Sequence, residues 1–290
     1  MPLPELPETP PSASAIVIEF GPVSRPSGVR WSTVWRQPGE RPWAQTARDG
    51  EAFYISVAEF ADFCITGSTV MVAASPSARE STIRHLLLDQ VLPLALAAEG
   101  HLVLHAAAVH RDAVGTIALA GTAGSGKSTL AAALRNEGWT VVSDDGVVVD
   151  RSGDTPIAIG AYPGLRVWPD AALATGLSSQ AITDVAEYSA KVRVSSHEIH
   201  QPAPLRSVYV IEPGGDCRVE RLSARDAAIR TIAHAYRADP DDRTALAAQL
   251  EAAADLGSRV GIFRLFVPRD LTRLSQAARV VSRHATFGAP

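Results

Sequence analysis

Between residues 16 and 75 the chain carries short apolar and aromatic runs, 16–20, 29–35, 52–57 and 63–73, set apart by glycine, proline and charged turns. Runs of that length bounded by turn residues predict strands, so this stretch reads as a small β-rich lobe. Ser75-Pro76-Ser77 then introduces 78–98, where Ile83, Leu86, Leu87, Val91, Leu94 and Ala97 recur at helical spacing behind a serine cap. Pro93 is expected to kink that helix. An extended run at 101–110, a turn at Arg111-Asp112 and a second run at 114–120 predict a hairpin that feeds a glycine-rich loop. A helix is expected over 127–136 with Gly138 as its stop, then a strand over 139–143 that ends at Asp144-Asp145. Beyond it, 157–168 reads as extended, Pro169 as the opening of a short helix and 177–190 as a loop. A strand at 208–211 is expected to pair with 217–222 across Pro213-Gly214-Gly215. Helices at 224–236 and 243–254, a strand at 261–267 and a last helix at 271–283 complete an α/β pattern without internal repeat. Residues 76–290 are thus expected to form one larger domain. Residues 1–15, rich in proline and small side chains, are expected to form a flexible tail; they lack the basic start and apolar run of a secretion signal.

Composition narrows the function. The chain has 290 residues, 46% hydrophobic and 20% charged, which fits an ordinary globular protein with a substantial core. Its net charge is −4 and its basic residues are scattered, which argues against nucleic acid as a partner. Cys64 and Cys217 show no ligand-pair spacing and read as buried thiols rather than a zinc site or a disulfide. The longest apolar stretch, 86–98, is interrupted by Asp89, Gln90 and Pro93 and is too short to span a bilayer. A cytoplasmic enzyme with no membrane partner is the expectation.

Gly121-Thr122-Ala123-Gly124-Ser125-Gly126-Lys127-Ser128 fits the phosphate-loop pattern G-x-x-x-x-G-K-[ST], with a strand before it and a helix at its end. Gly124 and Gly126 let the backbone curl so that N–H groups face a phosphate, and the new helix adds its positive end. Lys127 supplies a mobile charge, Ser128 a hydroxyl for magnesium and Thr129 a further contact to an inner phosphate. Asp144 and Asp145 close an apolar strand soon after, the Walker B arrangement: one carboxylate for the metal shell, the second to take a proton from an attacking hydroxyl. Paired aspartates also serve simply as turn caps. His105, on the strand leading toward the loop, faces either the same phosphates or the core. Trp168 and Trp139 read as core packing rather than a platform for a base, and no base-reading motif is visible.

Leu104-His105-Ala106, then 121–129, then Val142-Ser143-Asp144-Asp145 resemble, in that order, the catalytic domain of the HPr kinase/phosphorylase family over residues 100–150. The resemblance implies a P-loop kinase core of HPr-kinase/PEP-carboxykinase-like type with a mixed sheet, ATP and Mg2+ as cofactors, and transfer of phosphate to a serine hydroxyl. It places the proton acceptor at Asp145, a magnesium ligand at Ser128 and an active-site histidine at His105; the Walker B reading of the strand adds Asp144 to the magnesium ligands. The stretch 161–170 and Lys191 resemble divergent HPr-kinase-related proteins, among them kinases of lasso peptide precursors. The family's Leu-Glu-Val-Arg-Gly signature, which supplies an acidic magnesium ligand, is missing, and Glu187 stands as its candidate replacement. Thr129 stands where the family usually has Glu. Arg166 and Lys191 are candidates to stabilise charge on the transferred group. A peptide or protein serine is therefore the expected acceptor. A small hydroxylated metabolite, or a nucleotide-dependent binding module with no acceptor, are the alternatives, and an oligomer is compatible with the resemblance.

Overall fold

The computed structural model describes residues 3, 16–36, 42–160, 162, 164–177, 182–194, 201–237, 239 and 242–288, so the expected tail over 1–15 lies, Leu3 aside, outside them. Among the described residues six strands make the first sheet: β1 (Val17–Phe20), β2 (Ser32–Arg36), β3 (Pro42–Asp49), β4 (Ala52–Val57), β5 (Ala61–Thr66) and β6 (Thr69–Ala74). Their order is β1-β6-β5-β4-β3-β2, antiparallel except for β1 beside β6. The run 63–73 is two strands rather than one, because Gly67 takes a left-handed φ of 52° and turns the chain back so that Thr66 faces Thr69. β3 was not foreseen: its buried side chains are Ala44, Thr46 and Ala47, too small and polar to register as an apolar run.

Phe53, Ile55, Phe63, Ile65, Val70 and Val72 fill one side of this sheet against Ile83, Leu86, Leu87, Val91 and Leu94. Full burial of side chains of this kind contributes roughly 1.5–3 kcal/mol each. The covering helix is α1 (Glu80–Leu86), a π-helical turn over Leu87–Val91, and α2 (Leu92–Ala98). The kink expected at Pro93 takes the form of that π turn. Pro93 has no N–H to offer the Asp89 carbonyl four residues back, the Leu92 N–H donates five residues back to Leu87, and the Tyr236 hydroxyl donates to the Asp89 carbonyl at 3.0 Å.

The second sheet begins with β7 (Leu102–Leu104), β8 (Ala106–Arg111) and β9 (Gly115–Ala120), followed by α3 (Lys127–Arg135), β10 (Thr140–Ser143), β11 (Val147–Asp150) and β12 (Ile157–Gly160). Next come β13 (Leu165–Val167), α4 (Pro169–Ala174), β14 (Ile182–Asp184) and β15 (Val192–Val194); β13, β15 and β14 form a small sheet of their own. β16 (Ala203–Pro213), β17 (Arg218–Arg221), α5 (Ala224–Ala233), α6 (Arg243–Arg259), β18 (Gly261–Val267), a 3-10 turn at Leu271–Arg273 and α7 (Leu274–Phe287) finish the chain. The expected 177–190 loop is interrupted by β14, and its residues 178–181 lie outside the described set. The large sheet runs β10-β8-β9-β16-β12-β11-β7, with β18 and then β17 added beside β16. It is a mixed sheet in an α/β fold. The hairpin β8–β9 matches its expectation. The pairing of 217–222 with 208–211 does not occur, because parallel β9 and β18 already occupy both edges of β16 there, and β17 pairs with β18 instead.

β9 is buried along its whole length. Ile117 and Leu119 pack with Leu130 and Leu134 of α3 and Val281 of α7, while Ala118 and Ala120 pack toward Leu256 of α6. β8 runs antiparallel to both β9 and β10, so β9 and β10 point the same way and finish at the same edge of the sheet. β16 and β18, parallel to β9, finish there too. Cys64 and Cys217 are free thiols, partly exposed rather than buried. Among the described residues no helix is long and apolar enough to cross a membrane.

Candidate functional site

The loop between β9 and α3 has the glycine-dependent curl that its sequence suggested. Gly126 caps α3 with a left-handed φ of 96°. At Gly121 a Cβ would meet Ser125 Oγ at 2.6 Å and the Ile211 carbonyl oxygen at 3.3 Å, so the loop closes only around glycine. Lys127 folds back over the loop and donates to the carbonyls of Gly121 at 2.9 Å and Thr122 at 3.3 Å. Burial lowers its pKa, against the pull of Asp145 and Asp144. The Ser128 hydroxyl donates to Asp144 Oδ1 at 2.8 Å, a contact that exists because β10 ends level with the loop.

Asp144 is fully buried, and its Oδ2 accepts the Arg166 backbone N–H at 2.8 Å. Burial and the charge of Asp145 raise its pKa, with Arg166 opposing. Asp145 occupies the turn between β10 and β11 at a φ of 61°, a left-handed conformation that costs a non-glycine residue about 1–3 kcal/mol. Such strain persists where neighbours over-determine the backbone. The Tyr236 hydroxyl lies 3.1 Å from the Asp145 carbonyl oxygen and shares its proton with that of Asp89. Tyr236→Phe keeps the ring but strands both carbonyls, and is expected to destabilise the fold by about 1–3 kcal/mol in a thermal melt. An unchanged melting curve would show that Tyr236 does not hold the turn.

Arg166, from β13, is about 1% exposed. Its Nη2 pairs with Asp145 Oδ2 at 2.6 Å, its Nε lies 3.6 Å from Asp144 Oδ2, and its Nη1 pairs with Asp89 Oδ1. Tyr162 stacks beneath it at 4.4 Å. Burial alone would raise the Asp145 and Asp89 carboxyls, but Arg166, with His105 and Lys127 adding to it at Asp145, holds Asp145 well below the usual carboxylate range, and Arg166 with His85 holds Asp89 below it. Those carboxylates in turn hold Arg166 well above its ordinary value against its own burial. This is a different setting from the phosphate contact that the sequence suggested, since the guanidinium is committed to acids. Asp89 was missed by sequence reading, although an acid breaking an otherwise buried helical stripe was a visible signal. His85, one turn before it and 3.3 Å from Arg166, is pulled down to about 4 by burial and is neutral at ordinary pH.

His105 sits at the break between β7 and β8. Its N–H donates to the His234 carbonyl at 2.7 Å and its Nε2 lies 3.4 Å from Asp145 Oδ1. Glu187, the candidate acid for the metal shell, is elsewhere: it accepts from the Arg79 N–H at 2.9 Å and the Thr82 hydroxyl at 3.0 Å, capping the start of α1. Among the described residues no cluster of three or more His, Cys, Asp or Glu side chains is poised to hold a metal. The Ser128 hydroxyl and Asp144 carboxylate nevertheless fit magnesium, which keeps waters and takes most of its remaining ligands from a nucleotide's phosphates.

One cleft of about 580 Å³ unites these groups. Residues 122–124 and 126–129 of the loop, Asp145, His105, Arg166 and Lys191 line it, with Trp43 of β3 and Tyr188 on its walls. Asp144 lies beneath, reaching the loop through Ser128. Trp139 is core, as expected, but Trp168 is 50% exposed and also lines the cleft.

A scan against protein-family models and a search of curated proteins return no match. Among solved structures the chain is similar to the HPr(Ser) kinase/phosphatase of Coxiella burnetii. The match has 13% identity over 63% of this chain and 95% of that one, with a TM-score of 0.33, a likeness too distant to carry weight.

Proposed function

We propose that the protein is a magnesium-dependent kinase that moves the γ-phosphoryl group of ATP onto a serine hydroxyl of a peptide or protein. The reading rests on one arrangement: the Ser128–Asp144 contact at 2.8 Å, with Asp145 in the next position facing the cleft above the loop. Loop amides and the start of α3 bind the phosphates, and Lys127 leaves the loop carbonyls for the phosphate oxygens. Magnesium held by Ser128 and Asp144 would neutralise charge on the β- and γ-oxygens. Asp145 orients the acceptor hydroxyl and takes its proton as the new O–P bond forms and the bond to the ADP oxygen breaks. His105 and Arg166 fix that carboxylate in place, and Lys191 meets the charge of the moving group. Trp43 brings the β-rich lobe to the cleft wall and so gives it a part on the acceptor side.

Incubation with γ-labelled ATP, Mg2+ and serine-containing peptides, beginning with the precursor peptide encoded nearest the gene, tests this directly. Label on a serine, absent with Lys127→Ala, is the expected result. Label on a small hydroxylated metabolite alone would replace the acceptor, and ATP binding without any labelled product would leave a nucleotide-dependent binding module.

A further inference from the structure

The sheet order gives the phosphate loop two different flanks. β8 and β10 lie on one side of β9 and deliver Asp144 and Asp145; β16 and β18 lie on the other and end at Pro213 and Val267. On that second flank is a hollow of about 300 Å³, at the small end for ligand sites. Leu130, Ile211, Val267, Pro268 and Leu271 form the apolar part of its walls, and Asp170, Arg269 and Asp270 the charged part. Thr122, Gly124, Gly126, Thr129 and Trp168 line both this hollow and the cleft that holds Asp145, so the two meet over the loop. Trp168 and Leu271 are 50% and 40% exposed, large apolar side chains left in water at one concave site. Apolar exposure gathered in a concavity marks a binding site more often than scattered surface residues do.

We propose that this hollow receives the nucleobase of a nucleotide whose phosphates lie on the loop, with Trp168 and Leu271 as its contacts. The assignment rests on the phosphate-loop reading above and adds the nucleoside's place to it. A triphosphate lying across the loop then runs from this hollow to the cleft that holds Lys127 and Asp145, which points its terminal phosphate at Asp145. Trp168, the residue before α4, stands where the two halves of the ligand join.

Titration calorimetry with MgATP and, separately, with magnesium tripolyphosphate separates the two halves, since both ligands carry the phosphates and only ATP carries a base. The wild type is expected to bind ATP at least about tenfold more tightly than tripolyphosphate, the scale of one base stacked on an aromatic side chain. Trp168→Ala and Leu271→Ala should each cut most of that advantage and leave tripolyphosphate binding unchanged, while Trp168→Phe, which keeps a ring, retains it. Equal affinity of the wild type for the two ligands, or variants that weaken both alike or neither, would overturn the subsite while leaving the loop's role standing. A wild type that binds neither ligand removes the phosphate-loop reading and the subsite with it.

Discussion

Asp145→Asn is expected to lower phosphoryl transfer by about 10²- to 10⁴-fold, the usual contribution of a positioned base, while ATP affinity stays near that of the wild type. The side chain keeps its shape, and one oxygen remains to accept from Arg166, so the turn and the loop retain their contacts. What disappears is the negative charge and the proton acceptor. Arg166 and His105 hold this carboxylate ionised well below its usual range, which makes it a weak base, and a loose transition state asks little more of it. In such a reaction the acceptor oxygen keeps its proton until late, and orientation contributes much of the effect. Initial rates with labelled ATP, set beside ATP titration of the same variant, separate the two quantities. A variant that transferred phosphate at the wild-type rate would remove Asp145 from the chemistry, and a parallel loss of ATP affinity would make it a nucleotide contact instead.

The parts of this site that were legible in the sequence are those in which local and long-range signals coincide. The loop, the helix after it and the apolar strand ending in two acids lie within 25 residues, from Gly121 to Asp145, and each has its own local cause: glycine conformations, a helix start, a short apolar run. Their meeting required only that β9 and β10 run the same way. Partners from far along the chain were not legible. Nothing near Asp89 announces that it will share a guanidinium with residues 55 and 56 positions later, nor does the end of α5 suggest that Tyr236 will reach the carbonyls of both Asp89 and Asp145. Arg166 was seen as a cation but not as a buried one, since a lone arginine carries no mark of the acids that surround it. Trp168 was misread for the opposite reason: its size suggested core, and its exposure depends on a concavity built by β16, β18 and the turn after them. The strand pairing of 217–222 failed similarly, because a short glycine connection favours a hairpin locally while the parallel neighbours of β16 had already taken its edges.

Arg166→Met is expected to be the most destabilising single change in the cleft, costing about 3–5 kcal/mol at neutral pH, the range for removing one partner of a buried ion pair. A typical domain's whole stability is about 5–15 kcal/mol, so the variant is still expected to fold, with a much lower urea midpoint. The cause is the set of acids left behind. Asp144 is fully buried and Asp89 and Asp145 nearly so, and without the guanidinium their burial and mutual repulsion lose their strongest opponent. This fixes the pH dependence. In the wild type the depressed Asp89 and Asp145 add stability that is present above the ordinary carboxylate pKa of about 3.9 and is lost as pH falls through their lower folded values. In the variant their folded values rise above the ordinary one, so protonation favours the folded state and stability is recovered as pH falls toward that range. The gap between the two proteins is therefore expected to narrow from pH 8 to pH 5 when urea midpoints are compared. A second substitution, Asp89→Asn, should recover part of the loss at pH 8 because it removes one of the stranded charges, and the two changes should not add. A deficit equal at both pH values, or additive effects in the double variant, would mean that Arg166 matters for its packing over Tyr162 rather than for the acids it holds.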